Sequence, residues 1–183
     1  MLPENKTIAY IDGANLHRGV LSLGWRLDYS RFRIWLSDKY GVGLVYLFVG
    51  LIPKYKDRYT QLQKDGFTLV YKEVIYDGNG RAKGNCDADL VTQAMRDSYE
   101  GMARRVVLVT SDGDYAPLVK FWLEKKQLLT ILSPAPVEKC SILLKRTDAS
   151  IAYIKDQKNL LESLNEKAPG RDEPGRGLFR GDK

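Results

Sequence analysis

Short apolar runs and amphipathic stretches alternate along almost the whole chain. Residues 7–11, 44–49, 67–76, 105–110 and 128–132 are rich in Val, Ile, Leu and aromatic side chains. Most of these runs are apolar at successive positions, as in strands buried on both faces of a sheet. The third, 67–76, alternates in part. Between them, apolar residues recur every three or four positions, which is the helical period. The spacing predicts helices over 15–23, from Asp28 or Ser30 to Tyr40, and over 54–64, 87–99 and 114–126. Gly24, Gly41 and Gly66 stand where the first three should stop. In the fourth, Leu90, Val91, Ala94, Met95 and Ser98 share one face. In the fifth, Tyr115, Leu118, Val119, Trp122 and Leu123 are the residues to bury, and Pro117 falls in the first turn, where a missing N–H is tolerated. Pro134 and Pro136 end the fifth strand. Residues 138–145 read as a helix, 151–154 as a short edge strand, and a last helix runs to about Asn165.

A strand–helix alternation of this kind requires a parallel sheet with right-handed crossovers and helices on both faces. The expected fold is α/β: a three-layer α/β/α sandwich around a mainly parallel sheet of five to six strands. The length of 183 residues suits one domain with a real core, placed at residues 1–166. Residues 167–183 are rich in Gly, Pro and charge, have little to bury, and are expected to be disordered. Residues 77–85, D-G-N-G-R-A-K-G-N, form a glycine-rich loop expected to be mobile.

Composition narrows the chemistry. No apolar run approaches the roughly 20 residues that span a bilayer. The first residues lack the apolar core of a secretory signal. Cys86 and Cys140 are too few for a disulfide framework and have no partner at metal-motif spacing, so both read as small packed thiols in a reducing cytoplasm. There is no G-x-x-x-x-G-K-[ST], G-x-G-x-x-G or G-x-S-x-G run, which removes support for nucleotide-cofactor and serine-hydrolase readings. His17 is the single histidine and reads as structural or exposed.

Three acidic stretches remain: Asp12 in I-D-G-A-N, Asp87 and Asp89 in C-D-A-D, and Asp112 and Asp114 in T-S-D-G-D. The first and last follow strands, where open α/β sheets place their ligand sites. If the first strand is central and the strand after the crossover lies beside it, Asp12 and Asp112 sit on neighbouring strand ends, about 5 Å apart at the backbone. Carboxylates so grouped repel unless a cation is present, and hard oxygen donors suit Mg²⁺ or Mn²⁺. Each residue has a plainer reading. Asp12 and Asn15 are equally placed to cap the helix that follows, and Asp114 stands where the next N-cap should fall. Nothing in the capping pattern needs Asp112. Gly113 lets the backbone turn between the two acids. Asp87 and Asp89 lie about 200° apart on a helix, so one faces the sheet edge. Asp87 is chosen, because Leu90, Val91 and Ala94 form the buried side beyond it; the other is solvated or complements the helix dipole.

The net charge is +6, so the positive excess lies away from these acids, an arrangement that suits a polyanion. Lys54, Tyr55, Lys56, Arg58 and Tyr59 interleave basic and aromatic residues that could grip phosphates and stack bases, or form a solvated helix with packed tyrosines. Arg18, within two turns of Asp12, is placed to reach a substrate phosphate, and Arg81 and Lys83 in the glycine-rich loop could close over a nucleic-acid strand or belong to an ordinary exposed loop.

I-A-Y-I-D-G-A-N-L, K-G-N-C-D-A-D-L and V-L-V-T-S-D-G-D-Y-A-P-L-V, in this order, and T-D-A-S-I-A-Y-I near the end, resemble the NYN domain of the LabA-like (DUF88) group within the PIN-like nuclease superfamily. The resemblance covers about residues 6–155. It implies a PIN-like sandwich and a Mg²⁺- or Mn²⁺-dependent ribonuclease, with RNA as partner, no membrane, and a homodimer as a common assembly. Asp12, Asp87, Asp112 and Asp114 match the metal-binding and catalytic carboxylates. Asn15 and Asp89 match supporting positions, while Thr110 and Ser111 depart from the usual serine-glycine run before the aspartate and are kept as candidate supporting hydroxyls. Two other functions compete. A non-catalytic RNA-binding or regulatory module would keep the fold and lack turnover. A phosphatase or phosphoacceptor domain also uses strand-end aspartates, but a phosphatase of the haloacid-dehalogenase type would need an acid where Ala14 stands.

Overall fold

The computed structural model describes residues 7–73, 75–76, 82–83 and 86–164. Its centre is a sheet of six parallel strands: β1 (Thr7–Asp12), β2 (Val42–Leu51), β3 (Thr68–Glu73), β6 (Val106–Val109), β7 (Leu128–Ser133) and β8 (Ile151–Tyr153), in the order β3-β2-β1-β6-β7-β8. A separate antiparallel pair joins β4 (Ile75–Tyr76) to β5 (Ala82–Lys83). The expected third strand, 67–76, therefore stops at Glu73. The other glycine-rich loop residues and the expected tail, 167–183, lie outside the described residues, and the last helix is a short turn, α7 (Lys158–Leu161), that ends well before Asn165.

Alternate strand residues face opposite layers, as strand geometry dictates. Ala9, Ile11, Val45, Leu47, Val107 and Val109 pack on one side. They meet α1 (Gly13–Ser22) through Leu16 and Val20, α2 (Tyr29–Tyr40) through Phe32 and Leu36, and α3 (Lys56–Lys64) through Leu62. Ile8, Tyr10, Phe48, Val106, Leu108 and Ile131 pack on the other, against Leu90 and Ala94 of α4 (Asp87–Tyr99) and Val119 and Trp122 of α5 (Ala116–Glu124). The three-layer α/β/α arrangement is thus present, with one apolar core on each face of the sheet.

The caps explain several boundaries. Asp28, not Ser30, caps α2, accepting from the Arg31 N–H at 3.0 Å, and Gly41 ends that helix in the left-handed region at φ 65. The expected helix 138–145 contracts to α6 (Ile142–Lys145), because the N–H groups of Lys139 and Cys140 turn back to the Pro136 carbonyl and Ser141 supplies the cap. One buried carboxylate escaped the periodicity argument. Asp97 sits on the inner side of α4, accepting from the Tyr10 hydroxyl and the Gln93 amide, each at 2.8 Å.

Candidate metal centre

Parallel strands deliver their carboxyl ends to one edge of the sheet. Asp12 is the last residue of β1, and its neighbour β6 pairs Val109 with Ile11 before the chain passes through Thr110 and Ser111 to Asp112. Asp87 opens α4, which packs across β1. Asp87, Asp112 and Asp114 each present a carboxylate oxygen within 4.8 Å of the others. Asp112 and Asp87 are half-buried and Asp114 is exposed.

Asp12 lies deeper, with 8 % of its surface exposed. Burial is the main reason its carboxyl is pushed up from 3.8 to about 6. The Asn15 N–H, bonded to Asp12 Oδ1 at 3.0 Å, pulls it back, while Asp87 and Asp112 raise it further and Arg18 lowers it. Asp12 joins Asp87 through one hydroxyl: Tyr115 Oη is 2.5 Å from Asp87 Oδ1 and 3.4 Å from Asp12 Oδ2. Reading Tyr115 as plain core missed this. The available signal was a tyrosine, whose hydroxyl needs a partner when buried, at a position where phenylalanine would pack as well.

Capping and clustering turn out to be compatible. Asp12 caps α1 with Oδ1, as one of its two readings required. The other expectation is corrected. Asp112, not Asp114, is the N-cap after β6, and its Oδ1 accepts the Asp114 N–H at 3.1 Å to close the 3₁₀ turn Gly113–Tyr115. Each cap engages one oxygen of a two-oxygen group and leaves the second for other partners. Gly113 lies in that turn as expected, though without a positive φ; its missing side chain also admits Ser141, since a Cβ there would collide with Ser141 Oγ and meet Leu143 at 3.1 Å.

The supporting residues brace the same loop. Asn15 Oδ1 accepts both the backbone N–H and the hydroxyl of Ser111, each at 2.8 Å. Thr110 Oγ1 accepts the Asp112 N–H at 3.1 Å. Asn15 thus ties the start of α1 to the loop after β6. Asp89 turns away from the group and pairs with Lys72 of β3 at 3.0 Å.

The basic candidates divide. Arg18, Lys54, Lys56 and Arg58 are exposed. Tyr55 and Tyr59 are buried, Tyr59 bonding the backbone of Gly50 and Ile52, so neither offers a face for stacking bases. The Lys54 ammonium lies 4.8 Å from the Tyr55 ring and the Arg58 guanidinium 5.3 Å from that of Tyr29. Arg26 was not foreseen. With Arg58 and Arg18 it adds to the burial that holds the His17 imidazole down at about 4. Arg81, and the side chain of Lys83, lie outside the described residues.

An all-oxygen, anionic donor set of this kind fits a hard divalent cation and offers nothing to a soft one. Among the described residues, no helix is long and apolar enough to cross a membrane.

Comparison with known proteins identifies the family and the fold. The model of the NYN domain matches residues 6–154, most of the chain. A crystallised protein of unknown function from Vibrio parahaemolyticus superposes with a TM-score of 0.68 at 22 % identity, over 88 % of this chain and 99 % of its own; that likeness concerns the fold. No curated protein matches in sequence.

Proposed function

The chain belongs to the NYN domain family, within the PIN-like nuclease superfamily, and from that premise we propose that it is a ribonuclease dependent on Mg²⁺ or Mn²⁺. The observation that carries the reading is the meeting of Asp87, Asp112 and Asp114, drawn from a helix start and a strand-end loop far apart in sequence, above the buried Asp12.

In this reading Asp12, Asp87, Asp112 and Asp114 hold the ion and do not attack the substrate. A divalent cation bound there lowers the pKa of a water and polarises a phosphoryl oxygen. Asn15, Ser111 and Thr110 keep the loop that carries Asp112 and Asp114 in register with α1. Arg18, with Arg26 and Arg58, whose charges also reach His17, takes backbone phosphates of the strand, and Lys54 and Lys56 add to that positive surface. Arg81 and Lys83 keep the RNA-binding role their sequence position suggests, and the two separate thiols suit the reducing cytoplasm.

The test is cleavage of a mixed RNA pool. Wild type should cut it with Mn²⁺ or Mg²⁺ and stop in EDTA. Asp12→Asn and Asp112→Asn should each lose at least about 100-fold in rate while remaining folded. Undiminished cleavage in both variants removes the proposal. RNA retained with salt-sensitive affinity, and no turnover with any divalent ion, would instead assign the chain to a non-catalytic RNA-binding role.

A further inference from the structure

Tyr115 stands outside the proposed ligand set, yet its hydroxyl meets two of the four carboxylates. It closes the short turn that Asp112 caps, so the segment that brings Asp112 and Asp114 also brings this phenol. Its ring is buried in the layer that holds Leu90, Leu108 and Leu118, which leaves the hydroxyl little freedom. Oη donates to Asp87 Oδ1 at 2.5 Å, with Asp12 Oδ2 at 3.4 Å on its other side. Asp12 Oδ1 is already held by the Asn15 N–H. One phenol therefore joins Asp12 of β1 to Asp87 of α4, two elements that the Tyr10–Asp97 bond also links farther along the helix.

We propose that Tyr115 is the positioning residue of the cation site, an inference that rests on the metal-site reading above. Its hydroxyl holds one oxygen of Asp87 and so fixes the orientation of that carboxylate beside Asp112 and Asp114. By standing between Asp87 and Asp12 it also sets their separation before a cation arrives. Without it the two carboxylates repel and turn apart, and a cation must draw them together as it binds, so affinity falls.

Calorimetric titration with Mn²⁺ alone, on wild type, Tyr115→Phe and Asp112→Asn, tests this, with a thermal melt of each. Tyr115→Phe should keep its fold and bind Mn²⁺ about 10- to 100-fold more weakly. Its cleavage should need correspondingly more Mn²⁺ for half-maximal rate and return toward the wild-type rate at saturation. A role in packing alone would lower the melting temperature and leave the Mn²⁺ dissociation constant unchanged. Equal affinity in wild type and Tyr115→Phe overturns the positioning role while the metal site stands; absence of Mn²⁺ binding in wild type overturns both. Placing 3-fluorotyrosine at position 115 keeps the hydroxyl and covers a phenylalanine variant that does not fold. Its fluorine resonance should move and saturate as Mg²⁺ is added, and an unmoved resonance refutes the proposal.

Discussion

Asp12 carries a conflict between folding and function inside one side chain. Its carboxyl is buried beside two other acids, and burial above all raises its pKa from 3.8 to about 6. A raised acid holds its proton more tightly in the folded chain than in the unfolded one. Its contribution to stability is therefore fully present below about pH 4 and is lost as pH rises through about 6. The shift corresponds to roughly 3 kcal/mol at most. Asp12→Asn keeps the cap, because an amide oxygen accepts the Asn15 N–H as well. In EDTA this variant should be more stable than wild type at pH 8 by roughly 1–3 kcal/mol, with little difference at pH 4. Urea unfolding at the two pH values checks it; a variant no more stable at pH 8 would show that burial of the charge carries no such penalty. The same variant should lose cleavage, so the residue that weakens the empty protein is one the activity needs.

At the scale of elements, the site depends on how closely α6 approaches the turn between Asp112 and Asp114. Ser141 links the two, since its N–H bonds the Ser111 carbonyl while its Oγ caps α6. The space it occupies exists because residue 113 has no side chain. Gly113→Ala should push α6 and the turn apart, destabilising the protein by about 1–3 kcal/mol through overpacking. It should also weaken Mn²⁺ binding, because the two acids flank the displaced residue. Chemical unfolding together with calorimetry separates the effects; wild-type Mn²⁺ affinity in a destabilised Gly113→Ala would mean that the turn does not set the ligand geometry. The strands and longer helices were legible before the structure, because buried runs and helical periodicity are local signals. The length of α6 was not, since Pro136 collects the preceding N–H groups and restarts the helix at Ser141.

For the molecule as a whole, a cation that binds the folded cluster and not the unfolded chain must stabilise the fold by mass action. At 100 times its dissociation constant the gain is about 2.7 kcal/mol. In a chain of this size that raises the melting temperature by roughly 5–10 °C. Differential scanning calorimetry with Mn²⁺ and with EDTA should show this rise in wild type and in Asp89→Asn, whose acid pairs with Lys72, but not in Asp112→Asn. A rise that survives in Asp112→Asn would place the ion elsewhere. The charge pattern also acts at this scale: the net charge is +6, the acids gather at one sheet edge, and the charges of Arg18, Arg26 and Arg58 all reach His17 of α1.

Taken alone, the order of residues determined the alternation of strands and helices and hence the layers, and it required that only one of Asp87 and Asp89 face the sheet edge. These follow from local periodicity, right-handed crossovers and the angle between helical neighbours, whereas the central place of β1 beside β6 was an expectation of the fold class that the folded chain met. Only the folded chain decided that Asp112 is the cap and Asp114 is not, that Asn15 braces Ser111 across 96 positions, that Asp97 is buried, and that Tyr115 joins Asp12 to Asp87. A hydrogen bond between residues far apart in sequence leaves no periodic trace. The partner of a buried polar group is set by the packing that brings two elements together, and that packing belongs to no single stretch of the chain.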